Sequence, residues 1–203
     1  MATPIQARRR SLGCALAVCA AAAWLPAAAQ EAECLSCHAD LVDQRVVHAP
    51  LHRACRTCHE GLDAGSVPHR GQRAEAQSQC ARCHAPQGFQ GKFTHAPVAA
   101  DKCTLCHTPH SSADAGLLVQ PGPSLCLSCH ADVAQRPHLL AGFGGKGHPL
   151  GHEKGTHPVE DPLRPGRPFG CTSCHEPHRS EYPRLSRFGS GSPAGICRQC
   201  HKI

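Results

Sequence analysis

The sequence predicts loops, turns and short α-helices, with little or no β-sheet, wrapped around a core that its own side chains do not supply. Three observations predict it. Aromatic residues are 3% of the 203, while 19 glycines and 18 prolines break regular structure throughout, so a large side-chain core is out of reach. No long helical or strand periodicity runs through the chain. Third, Cys-x-x-Cys-His occurs seven times, at Cys34–His38, Cys55–His59, Cys80–His84, Cys103–His107, Cys126–His130, Cys171–His175 and Cys197–His201.

That motif carries a specific chemistry. Two thiols three residues apart reach the two vinyl groups of one porphyrin and form thioethers, and the adjacent histidine falls under the iron. The expected haem-binding thiols are Cys34, Cys37, Cys55, Cys58, Cys80, Cys83, Cys103, Cys106, Cys126, Cys129, Cys171, Cys174, Cys197 and Cys200. The expected proximal ligands are His38, His59, His84, His107, His130, His175 and His201. A thioredoxin-type dithiol needs neither the histidine nor seven copies. Paired zinc knuckles need an even number of CxxC pairs. A disulfide within CxxC closes almost no loop. Seven covalently bound c-type haems are the expected cofactors and the expected core.

In chain order, residues 1–29 read as a secretory signal peptide. Arg8, Arg9 and Arg10 form its charged start, Leu12 to Leu25 its apolar stretch, and Ala27-Ala28-Ala29 its cleavage site. The apolar stretch is short for a transmembrane helix, and no other segment could span a membrane. Val18 makes Cys19 a poor lipoprotein site. The arginines loosely resemble a twin-arginine signal, but haem attachment calls for an unfolded chain, which favours the general secretory route. The expected location is periplasmic or extracellular.

Residues 30–203 read as one heptahaem domain, with about 25 residues per haem. Haems so thinly wrapped must lie close together, which favours electron hopping. The formal charge of +6 does not imply nucleic acid. Without the three leader arginines, and with two propionates per haem, the loaded protein is acidic, about −4 when oxidised and about −11 when reduced. Many arginines then read as propionate partners.

Within the domain, three repeat units cover about 34–69, 80–121 and 126–188, and the motif at 197–201 closes the chain. Cys34-Leu-Ser-Cys-His-Ala-Asp40 recurs at 126–132. Val47-His48-Ala49-Pro50 recurs as Thr94-His95-Ala96-Pro97 and more distantly as Thr156-His157-Pro158-Val159. Cys103-Thr-Leu-Cys-His-Thr-Pro-His110 recurs as Cys171-Thr-Ser-Cys-His-Glu-Pro-His178. Short helices are expected to start at the motifs, with Pro109, Pro149, Pro158 and Pro177 ending or redirecting them.

These last segments resemble the doubled CXXCH motif family of multihaem c-type cytochromes. The match is best over Cys103–His130 and Cys171–His201, each with CxxCHxPH, a serine-containing turn and a second CxxCH. Cys55–His59, followed by Glu60-Gly61, follows the pattern loosely. The resemblance implies electron transfer in the periplasm or outside the cell and names no partner.

A low-spin carrier needs a second axial ligand on each iron. Met1 is the only methionine, so bis-histidine ligation follows, with low potentials. Ten histidines remain as donors. His48, His95 and His157 lie in turns between motifs. His110 and His178 follow a proximal histidine by three residues across a proline, which turns them toward a neighbouring haem. His69 and His148 complete the set, with His52, His138 and His152 as rivals. The leading expectation is an electron carrier without catalytic activity. Its partners would be other redox proteins, an outer-membrane electron conduit or further copies of itself. A reductase of a nitrogen or sulfur oxyanion is the alternative, and it would need an open axial position.

Overall fold

The computed structural model describes residues 34–52, 55–60, 79–135, 159–189 and 193–202. Their regular structure is short. Four α-helices are named here in chain order: α1 (Ala96–Ala99), α2 (Gly122–Cys129), α3 (Cys171–Cys174) and α4 (Pro193–Cys197). Single 3₁₀ turns, including Cys55–Thr57 and Cys103–Leu105, separate them. Turns at the second, fourth and sixth motifs start at the first cysteine. By contrast, α2 and α4 lead into the fifth and seventh motifs and end there. In α2 the proline sits in the first turn, where its missing N–H leaves no hydrogen bond unmade.

Two antiparallel ladders hold distant segments together. Strand β1 (Val46–Val47) pairs with β3 (Ser111–Ser112), with Val46 opposite Ser112. Strand β2 (Phe93–Thr94) pairs with β4 (Arg179–Ser180), with Phe93 opposite Ser180. The two ladders are copies of one design. In each, the strand before one motif meets the Pro-His-x-Ser hairpin that follows the motif two places later. Each therefore joins different repeat units. Arginines fasten both: Arg45 donates to the Ala113 carbonyl at 2.8 and 3.0 Å, and Arg179 donates to the carbonyls of Gly88 and Gln90.

Among the described residues, no hydrophobic side chain is buried. The buried side chains are Ser112, Asp161, Ser173, Ser180 and Ser186. Each serves a turn. Asp161 accepts hydrogen bonds from the Leu163 amide and Arg164, and Arg164 reaches on to Ser173 beside Cys174. Across the described residues polar side chains take the buried positions, in line with the shortage of aromatics.

Candidate haem-binding site

All seven motifs fold the same way. The histidine amide donates to the carbonyl of the first cysteine at 2.8 to 3.0 Å, from His38 to Cys34 through to His201 to Cys197. This is one α-helical turn. It sets residues i, i+3 and i+4 on one face, so two thiols and an imidazole point the same way, as one porphyrin requires.

Four proximal histidines each face a histidine from another segment. His48 faces His84 at 6.1 Å between ring centres, and His110 faces His59 at 6.0 Å. His95 faces His130 at 6.1 Å, and His178 faces His107 at 5.8 Å. The ring planes are within 16 to 28° of parallel. Parallel rings in contact would lie about 3.5–4.0 Å apart. Two imidazoles bound to opposite sides of one metal, at about 2.0–2.1 Å per bond, lie about 6 Å apart. The separation therefore fits a metal between the rings. Among the described residues no three His, Cys, Asp or Glu side chains converge as a bare ion needs. Two protein nitrogens per site suit iron whose other four ligands come from a porphyrin, so the residues fit haem.

The pairs cross the repeat. His48, between the first and second motifs, faces the third. His95, between the third and fourth, faces the fifth. His110 and His178 turn away from the motifs they follow and face the second and fourth. Backbone bonds enforce this: the His48 amide donates to the His110 carbonyl at 2.8 Å and the His95 amide to the His178 carbonyl at 3.0 Å. The ring Nδ1 atoms of His48 and His95 lie 2.9 and 3.0 Å from the carbonyls of Pro109 and Pro177. A carbonyl only accepts, so these nitrogens are protonated, leaving Nε2 free to ligate. Burial, with the facing His59 and His48 adding to it, pushes the His110 imidazole below its ordinary value. Burial does the same at His178, beside His107 and His95. Both shifts favour the neutral ring that ligation requires.

His52, itself exposed, ends the 3₁₀ turn Ala49–His52. His69, His138, His148, His152 and His157, with Pro149 and Pro158, lie outside the described residues, as does the expected leader.

From the second motif to the seventh, the thiols of successive motifs are neighbours. None of the described cysteines forms a disulfide; with haem attached the same atoms would be thioether sulfurs. Burial and a hydrogen bond with Cys103 raise Cys80, with Cys58 also near. Cys106 is raised by burial and by the approach of Cys126 and Cys129. Cys126 and Cys171 are hydrogen-bonded, which raises Cys126 and lowers Cys171 to about 7. Burial, with Cys197 and Cys200 beside it, raises Cys174. From the second motif to the seventh, spatial order follows chain order. Sequence reasoning missed this order, since no local pattern encodes it.

The family model of the doubled CXXCH motif matches residues 95–135 and 162–202. Both stretches begin before one motif and run through the next, and they contain the hairpins that carry His110 and His178. The multiheme cytochrome MtrA of Shewanella baltica (strain OS185) is 32% identical over 117 residues, which cover 53% of this chain and 34% of that protein. This chain thus matches about a third of the relative's length. Residues 95–135 and 162–202 thus match the doubled CXXCH motif, and over about half its length the chain is similar to a multiheme cytochrome.

Proposed function

We propose that the chain is an exported heptahaem cytochrome that carries electrons between redox partners and has no catalytic activity of its own. Bound haem supplies a one-electron iron couple at each motif. The fourteen motif cysteines hold the macrocycles, and the seven motif histidines are the proximal ligands. His48, His95, His110 and His178 are the distal ligands at the third, fifth, second and fourth motifs. By the same repeat, His69, His148 and His157 supply the remaining three. The observation that carries this reading is the set of four facing histidine pairs. Each pair would hold an iron between its two rings and leave no position there for substrate.

The sequential approach of thiols from the second motif to the seventh supports transfer along a line. Residues 1–29 direct export, and residues 30–203 form the working domain. No helix among the described residues is long and apolar enough to cross a membrane. The proposed partners are redox proteins, reached through an outer-membrane conduit or through contact between copies of this chain.

Intact mass and EPR of the purified holoprotein test the reading together. The expected result is the mass of seven haems over the processed chain, with only low-spin ferric signals. A high-spin haem that binds nitrite or hydroxylamine would replace the carrier with a reductase.

A further inference from the structure

The hairpins after the fourth and sixth motifs share a device that ligation alone does not require. After Ser112, the chain turns through Gly116 (φ 73°) and Leu117 (φ 57°). After Ser180, it turns through Arg184 (φ 58°) and Leu185 (φ 55°). Two successive left-handed residues make a very tight reversal. Outside glycine each costs about 1–2 kcal/mol. Three of these four residues are not glycine, so something must hold the turns closed.

A buried serine hydroxyl does so in both. Ser112 Oγ accepts from the Asp114 amide at 3.0 Å and donates to the Leu118 carbonyl at 2.5 Å. Ser180 Oγ accepts from the Tyr182 amide at 2.9 Å and donates to the Ser186 carbonyl. Each hydroxyl thus ties the start of the loop to its end. Further bonds return the loop to its own motif: Thr108 to Leu117, Val119 to Cys106, Glu176 to Leu185 and Arg187 to Cys174.

The held turn aims one carbonyl at a proximal histidine. Gly116 O lies 2.7 Å from His107 Nδ1, and Arg184 O lies 2.9 Å from His175 Nδ1. A carbonyl accepting the Nδ1 proton makes the imidazole a stronger donor to iron and favours the ferric state. We propose that Ser112 and Ser180 are positioning residues that lower the potentials of the haems at Cys103–His107 and Cys171–His175, by holding these carbonyls on the proximal histidines. The proposal rests on the haem reading above.

The test compares Ser112→Ala, Ser180→Ala, Ser112→Thr and Ser180→Thr holoproteins with wild type, by potentiometric titration alongside intact mass. Each alanine variant is expected to raise one couple by about tenfold in its reduction equilibrium, or about 59 mV for one electron. The threonine variants, which keep the hydroxyl, are expected to return it. Full haem loading with unmoved potentials, a shift shared by all couples, or no rescue by threonine would each overturn the inference. A wild-type mass without haem would overturn the haem reading instead. If an alanine variant fails to load haem, proton NMR of the wild type decides. Nδ1 protons of His107 and His175 that exchange slowly are expected. Exchange too fast to observe at both sinks the proposal.

Discussion

His95 combines two roles in one side chain. Its ring faces His130 across the span a metal needs, and its Nδ1 is fixed by the Pro177 carbonyl. Replacing His95 with Met substitutes a thioether, which favours ferrous iron. The expected result is a rise of at least about 59 mV, or tenfold, in one couple, with the other couples near their wild-type values. Potentiometry checks it, and an unchanged set of potentials removes His95 from the ligands. A second residue-scale outcome concerns Gly116, whose added Cβ would meet nothing within 4 Å. The cost of Gly116→Ala is therefore purely conformational, about 1 kcal/mol, read as a lower thermal midpoint of the holoprotein. Histidine types and motif spacings were legible in the sequence. The left-handed Leu117, Arg184 and Leu185 were not, because none is the glycine that ordinarily marks such a backbone.

Among the elements, the hairpin from 159 to 169 shows how a polar group replaces a core. The Asp161 amide donates to the Arg167 carbonyl and the Phe169 amide to the Val159 carbonyl. The Asp161 side chain is 3% exposed and pairs with Arg164 at 2.7 Å. Burial alone would raise its pKa, but hydrogen bonds from Arg164, the Leu163 amide and Ser173 outweigh it and hold the carboxyl below its ordinary value. A depressed folded pKa means stability that is present above the unfolded value, about 3.9, and lost as pH falls through the folded one. Relative to its intrinsic rate, amide exchange at Asp161 and Phe169 should therefore be slow at neutral pH and accelerate in acid below that range. Asp161→Ala should accelerate it at neutral pH, at a cost of about 3 kcal/mol, because Arg164 is left part-buried without its partner. Unaltered exchange in the variant would show that the hairpin holds without the pair. No motif or period marks this aspartate, which lies in a Gly- and Pro-rich loop. The ladders were equally hidden: Val46–Val47 and Ser111–Ser112 are too short to show a strand period, and their pairing is a long-range choice. The serines at 112 and 180 did leave a trace, as the serine-containing turn common to both repeats.

For the whole molecule the question is what replaces a hydrophobic core. The described residues bury serines and an aspartate and no apolar side chain, while the facing histidines stand apart by the width of a metal site. Ordering a chain costs about 1–2 kcal/mol per residue in backbone entropy alone, and two-residue ladders with single helical turns do not offset it. On the proposed function, the missing term is the apolar face of each macrocycle, attached at a motif and held between histidines. Folding and haem attachment are then one event. Expression in a host without cytochrome c maturation is expected to give an unfolded chain, with a near-featureless circular dichroism spectrum and rapid proteolysis. Its thiols should also cross-link wrongly, since Cys126 meets Cys171 and Cys80 meets Cys103 wherever native contacts form transiently. A haem-free chain that unfolds cooperatively would mean that the protein holds itself together, and the haems would then be passengers in a completed fold.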